Sequence, residues 1–238
     1  MRLDKLLAHA GYGSRKDVKE LLKKKRVKIA DKVVVKGNVH VDPKEQIVTV
    51  DGDTIDYEKY VYMIVHKPQN YISATVDDKD KTVIDLVPEK YQHYDLAPVG
   101  RLDKDTEGLI LLTNDGMLNH IITSPKTEIY KTYYAKVNGQ VTEDHIGQFR
   151  NGVVLDDGYK TKPAYLELVQ SGTPSEIQLS ICEGKFHQVK RMFRAIDMEV
   201  TYLKRLRIGD ISLDKDLTIG KTRLVNEAEL AYMKSLKE

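Results

Sequence analysis

The 238-residue sequence predicts an α+β protein with a small N-terminal domain of two helices and a hairpin sheet. A larger domain follows, with a largely antiparallel mixed sheet flanked by helices. Three observations carry this prediction. Charge is unevenly spread: residues 1–36 hold twelve Lys/Arg against four Asp/Glu, while the rest holds 26 basic and 32 acidic residues. Beyond residue 60, strand-like segments lie next to one another in sequence with helical patterns interspersed, which favours antiparallel pairing over a doubly wound sheet. Composition is that of a globular chain, 41% hydrophobic and 31% charged, long enough to bury a core. A small basic head on a mildly acidic body suggests that the head meets a polyanion.

The elements follow in order. "RLDKLLAHAG" spaces Leu3, Leu6, Leu7 and Ala10 as a helix does, with Gly11 as its stop. "GSRKDVKELLKKKRV" restarts at Ser14 as N-cap, turning Val18, Leu21 and Leu22 inward and leaving Arg15, Lys16, Lys19 and Lys23 outside. "VKIADKVVVKGNVHV" reads as short strands around an Ala-Asp turn and a Gly-Asn turn. The acidic, turn-rich "DGDTIDYEKY" is the expected linker, giving domains at residues 1–58 and 59–238.

In the body, "YVYMIVHKP" reads as a strand ended by Pro68, and "GLILLTNDG" as a buried strand closing on a turn. "MLNHIITS" suits a short helix and "IYKTYYAKVNG" a strand; "AYLELVQ" and "SEIQLSICEG" read as hairpin partners around "SGTP". "HQVKRMFRAIDM" reads as a helix with Val189, Met192, Phe193 and Ile196 inward. The single Cys182 excludes an internal disulfide and any multi-cysteine metal site. No apolar stretch approaches the length of a membrane helix, and the opening residues lack a secretory signal pattern, so the expected location is the cytoplasm, with no membrane partner.

The order "RLDKLLAHAG–GSRKDVKELLKKKRVKI–KVVVKGNVHV" resembles the alpha-L RNA-binding module, also found in a small-subunit ribosomal protein and in tyrosyl-tRNA synthetases. In that module the second helix and the following strand face structured RNA. The resemblance makes Arg2, Lys5, Ser14, Arg15, Lys16 and Lys19 candidate RNA contacts.

"VGRLDKDTEGLILLTNDG" places five ionisable residues at the lip of an apolar run. Three readings compete. An ordinary turn explains Asp105 to Gly108 but not Arg101 and Asp103, which flank Leu102 and share a side of an extended chain. A calcium loop matches at Asp103, Asp105, Glu107 and Gly108, but the position that should supply a bidentate Glu is Asn114. An active site gains support from "YKTYYAKV", which sets Lys131 and Tyr133 on one strand face. "EGKFHQVKRMF" adds Lys185, His187, Lys190, Arg191 and Arg194 at a strand-to-helix junction suited to an anion, and "TYLKRLRIG" adds Lys204, Arg205 and Arg207. A carboxylate, an aromatic ring and several cations suit a nucleotide taken out of its stack.

Together, "GRLDKDTEGLILLTNDG" and "EGKFHQVKRMF", joined to the alpha-L-like head in this order, resemble the RsuA-type pseudouridine synthases over essentially the whole chain. The resemblance implies isomerisation of a uridine in ribosomal RNA through one essential aspartate, here Asp103, with no metal and no cofactor. It implies Lys190 as the basic partner, with Lys185 and Arg191 as weaker candidates for that duty or for phosphate contacts. Arg101 would assist flipping, Tyr133 would pack against the flipped base, and His187 would contact RNA. "KFHQVKRM" carries Phe-His before the Gln, as small-subunit enzymes do, whereas large-subunit relatives tend to carry Asn-Arg. The implied partner is ribosomal RNA or an assembling small subunit, and a monomer suffices. The rival classes are a non-catalytic RNA-binding or ribosome-assembly protein on the same fold, a synthase acting on large-subunit RNA, and a hydrolase using the carboxylates.

Overall fold

A computed structural model describes residues 1–55 and 57–237. The chain divides into two units, one of residues 1–61 together with 88–95, the other of the remaining described residues.

The first unit contains α1 (Leu3–His9), α2 (Arg15–Lys23), β1 (Val27–Ile29), β2 (Lys32–Val33), β3 (Val48–Val50) and β4 (Asp53–Thr54). Leu3, Leu6 and Leu7 of α1 bury against Val18 and Leu22 of α2 and against Val27, Val41, Val48 and Val50. Ser14 caps α2: its Oγ accepts from the Asp17 amide, while the Asp17 carboxylate accepts from the Ser14 amide at 2.8 Å. Such reciprocal pairing satisfies donors that a helix start leaves open. Ala30 and Asp31 both take positive φ (45° and 66°), the twist a tight hairpin needs between β1 and β2.

Two expectations fail here. The Gly37–Asn38 turn opens no second hairpin; β1 pairs instead with β3, and the sheet runs β2-β1-β3-β4. Val48 and Val50 are buried, so the β1–β3 pairing covers apolar surface. Val33 and Val35, in the run before that turn, are about half exposed. Asp51 and Gly52, expected in the linker, form the β3–β4 hairpin turn (φ 55° and 95°). Asp-Gly serves a hairpin as well as a linker, and only the partner strand decides. The segment 88–95, mostly a 3₁₀ helix (Glu89–Tyr94), belongs to this unit although residues 62–87 precede it in the other.

The second unit contains β5 (Tyr62–Lys67), β6 (Tyr71–Ile72), β7 (Lys81–Thr82), β8 (Ala97–Val99), β9 (Glu107–Thr113) and α3 (Gly116–Thr123). Then come β10 (Lys131–Asn138), α4 (Glu143–Arg150), β11 (Tyr165–Gln170), β12 (Ser175–Ile181) and α5 (Gln188–Arg194). The chain ends with β13 (Glu199–Ile208), β14 (Ile211–Ser212), β15 (Thr222–Leu224) and α6 (Glu227–Ser235). The main sheet runs β11-β12-β10-β13-β9-β5-β15. Along that path β9 and β13 pair in parallel and every other neighbouring pair is antiparallel. Two antiparallel halves therefore meet at one parallel seam. Each half packs its own core: one includes Ala135, Leu179 and Phe149, whose ring lies 5.0 Å from that of Phe193, and the other Ile64, Leu109, Leu118 and Met233. Leu109 to Leu112 are all buried, as a central strand covered on both faces requires.

The seam depends on Gly108, which pairs with Arg205 at a φ of +109°. A Cβ there would lie 2.2 Å from the Arg205 carbonyl oxygen, so only glycine lets the strands approach. Lys67, the last residue of β5 and fully buried, reaches under the loop that leads into β9. Its Nζ donates to the carbonyls of Pro68 (3.0 Å), Lys104 (3.3 Å) and Thr106 (2.7 Å). Burial pulls this lysine down to about 8, despite opposing attraction from Asp105 and Asp103.

Lys67→Met is expected to lower stability by about 3 kcal/mol, because buried carbonyls lose a charged donor. The wild-type lysine binds fewer protons folded than unfolded between about 8 and its usual 10.5. Stability therefore rises with pH across that window. Lys131, also near 8, adds to the same slope, so the Lys67→Met variant should show a shallower rise in urea titrations repeated at each pH. Ser14→Ala should destabilise the first unit by about 1 kcal/mol in thermal unfolding of the full chain.

Candidate active site

The 101–106 loop crosses the seam on its way into β9, and a cleft of about 590 Å³ opens beside it. Backbone bonds fix the loop from several sides. Ser73 Oγ donates to the Leu102 carbonyl and accepts from the Leu102 amide, both at 2.9 Å. The Asn70 amide donates to the Lys104 carbonyl at 2.8 Å, and the Thr106 amide to the Asp103 carbonyl at 3.1 Å. Leu102 is buried and Arg101 exposed, with the Asp103 side chain 27% exposed at the cleft. The alternation expected of Arg101 and Asp103 about Leu102 is thus present without a strand.

Lys190, in the first turn of α5, brings its Nζ to 3.1 Å from Asp103 Oδ2 and to 2.7 Å from Asp105 Oδ1. Burial opposes its charge, but the hydrogen bonds and fields of the two carboxylates outweigh that and hold Lys190 above the usual lysine range. Asp105 is correspondingly lowered: burial opposes its charge, and the Lys190 hydrogen bond prevails. His187 Nε2 lies 3.5 Å from Asp103 Oδ1. Glu107 instead accepts from Tyr202 Oη at 2.5 Å. The carboxylates that match a calcium loop by spacing therefore separate: two serve Lys190 and one serves Tyr202.

Tyr133 and Lys131, on alternate positions of β10, line the same cleft, as do Arg101, Lys185 and His187. Lys185 also places its ammonium 4.3 Å from the centre of the Tyr159 ring. The turn before α5 is pinned by buried Glu183, which accepts from Tyr159 Oη (2.7 Å), the Lys162 amide (3.0 Å) and Gln188 Nε2 (2.8 Å). Gln188 Oε1 in turn accepts from the Lys185 amide at 2.8 Å. His187 carries the turn with a φ of +48°. Its ring stacks on Phe186, which is 75% exposed.

Arg191 does not line this cleft. Asp156 and Asp157 take its guanidinium, so it is spoken for within the fold. In the first unit, Lys5, Arg15, Lys16 and Lys19 are exposed, Arg2 is bonded to Asp4 at 2.6 Å, and Ser14 is engaged as a cap. Sequence reasoning passed over Lys67, Ser73 and Glu183. The dipeptide "KP" closing β5 gave the one available signal for Lys67, a lysine ending an otherwise apolar strand.

Among the described residues no helix is long and apolar enough to cross a membrane. Residues 61–195 match the family model described as RNA pseudouridylate synthase, and residues 1–47 match the S4 domain. The chain is 47% identical over 231 residues to an uncharacterised RNA pseudouridine synthase of Bacillus subtilis, covering 97% of each. It is 40% identical over 235 residues to the ribosomal small subunit pseudouridine synthase A of Yersinia pestis, covering 97% of each. The ribosomal large subunit pseudouridine synthase B of Bacillus subtilis matches at 39% over 244 residues, covering 100% of this chain and 97% of the relative. A crystal structure of a pseudouridylate synthase superposes with a TM-score of 0.69 at 33% identity, covering 98% of this chain and 99% of the other. An S4 domain followed by a mixed sheet that opens its cleft at a parallel seam, together with these full-length relatives, makes this chain a member of the RsuA-type pseudouridine synthase family.

Proposed function

We propose that this chain isomerises a specific uridine of small-subunit (16S) ribosomal RNA in the cytoplasm, with Asp103 as the essential group. It acts as a monomer on the RNA or on an assembling small subunit. The observation that carries the assignment of Asp103 is its ion pair with Lys190 at 3.1 Å inside a cleft that also presents Tyr133. The bond from uracil N1 to ribose C1′ breaks, the base turns, and C5 bonds to C1′; the C5 proton is lost and N1 is protonated. Attack of the carboxylate on carbon and removal of a ribose proton both use Asp103 as a carboxylate, and Lys190 Nζ sits 3.1 Å from its Oδ2. Tyr133 offers a ring for the flipped base, and Arg101 an exposed cation beside the vacated stack. A pure RNA binder would gain nothing from a carboxylate facing phosphates.

The exposed Lys5, Arg15, Lys16 and Lys19 supply phosphate contacts; Arg2, bonded to the Asp4 carboxylate, and Ser14, the cap of α2, lie beside them in sequence. Stacked Phe186 and His187 at the cleft favour a small-subunit target by their match to the Phe-His pattern. The identity of about 39% to a large-subunit synthase favours a second reading, a uridine in 23S RNA.

Mapping pseudouridines in both ribosomal RNAs with and without the gene separates the two targets: loss of one modification from 16S is expected. Asp103→Asn should cut turnover by about 10³-fold or more while RNA affinity is retained. Activity surviving in the Asp103→Asn variant would overturn the assignment. Replacing Arg15, Lys16 and Lys19 together by Ala should weaken RNA binding and flatten its salt dependence by roughly 2 in log–log slope.

A further inference from the structure

Two cations of the cleft wall, Lys131 and Arg205, have no role in the reading above. Lys131 projects from the same face of β10 as Tyr133, and Arg205 sits opposite Tyr133 on β13. Arg205 is 3% exposed; its Nε donates to the Leu109 carbonyl at 2.7 Å, and one terminal nitrogen is buried with no partner. Neither side chain makes an ion pair among the described residues. Three shielded cations of this unit are compensated: Lys190 by Asp103 and Asp105, Arg191 by Asp156 and Asp157, Arg223 by Asp214 and Glu229. Lys67 satisfies itself on three carbonyls. A half-satisfied guanidinium beside an unpaired ammonium is costly unless something else completes it.

That something is an electron-rich group entering the cleft. Two sources share the chemistry, a backbone phosphate and the carbonyl oxygens of the flipped base. Phosphates follow the nucleic-acid surface and suit the exposed Arg101 and Lys185, whereas Arg205 is almost wholly withdrawn from solvent. The base is the part that enters. When its N1–C1′ bond breaks, the bonding pair stays with the ring and spreads over N1, O2 and O4. The base is then an anion until C5 bonds to C1′, the C5 proton leaves and N1 is protonated. We propose that Lys131 and Arg205 form the receptor for the uracil carbonyl oxygens and stabilise the charge that the departing base acquires. The inference rests on the reading that Asp103 opens the glycosidic bond in this cleft. Burial and the neighbouring Arg205 pull Lys131 down to about 8.

The test uses the full chain with ribosomal RNA from cells lacking the gene. Single-turnover rate, RNA dissociation constant and its salt slope are measured for Lys131→Met, Lys131→Gln and Lys131→Arg. Loss of one donor aimed at developing charge costs about 100-fold in rate. The Met and Gln variants should show that loss with RNA affinity within about twofold and an unchanged salt slope, as expected for a contact that adds no phosphate neutralisation. The Arg variant, which keeps the charge, should recover much of the rate. Native rates in the Met or Gln variant would overturn the proposal. So would a loss confined to affinity with a salt slope smaller by roughly 0.7, which marks a phosphate contact instead. Equal loss in all three variants would reduce Lys131 to packing and overturn it too. Asp103→Asn is run alongside: if it still turns over, the underlying reading falls, whereas an inert Asp103→Asn variant with an active Lys131→Met variant removes this inference alone.

Discussion

The approach of Gly108 to the Arg205 backbone decides where everything else in the cleft can sit. Two antiparallel half-sheets can be joined in many ways, but a parallel seam requires a strand to arrive from outside the hairpin order. The arriving strand is β9, and the loop that leads into it carries Arg101 and Asp103. A side chain at position 108 would force the strands apart at this point. The loop would then lose its height relative to Tyr133 and Lys190, which belong to the other half. One missing Cβ thus sets the separation between a carboxylate from one half of the sheet and its cation from the other.

Around that seam, charge is handled in three different ways. Lys67 is buried and spends its donors on backbone carbonyls, so its work is geometric: it holds the loop where Gly108 has brought it. Lys190 is matched by the carboxylates of Asp103 and Asp105, so its charge is engaged within the fold. Lys131 and Arg205 have no match, and the positive potential at their end of the cleft is open to whatever enters. Preorganised charge of this kind costs stability in the empty protein and is recovered only when charge develops opposite it. The same few ångströms of sheet thus contain a clamp, a partner and a receptor, all cationic and distinguished by what surrounds them.

Sequence alone made the periodic parts legible. The run Leu109–Leu112 announces a buried strand, Ser14 announces a helix start, and Ala30–Asp31 announces a tight turn, because each signal is complete within a few residues. The pattern of Arg101 and Asp103 flanking Leu102 was also local, and the structure places all three at the cleft. What stayed hidden depended on partners far along the chain. Asp51–Gly52 could serve a linker or a hairpin until β3 was seen to pair with β4. The return of 88–95 to the first unit has no local signature at all. Arg191 and Lys190 are adjacent in sequence and chemically alike, yet one turns to Asp156 and Asp157 while the other reaches the cleft; only the helix face separates them.

That last contrast sharpens what a cluster of basic residues means in such a protein. "KFHQVKRMF" reads as one basic motif, but its cations divide among a ring face, a carboxylate pair in the cleft and an acidic pair outside it. Counting charges would assign them all to RNA. Neutralisation inside the fold removes Arg191 from that account, and burial removes Lys190. Meanwhile Arg205, one of three cations in "TYLKRLRIG", is the most withdrawn cation of the cleft. The charge that a nucleic acid feels is therefore the remainder after internal pairing. In this chain the remainder includes the exposed helix face of the first unit, the rim at Arg101 and Lys185, and the cations Lys131 and Arg205 within.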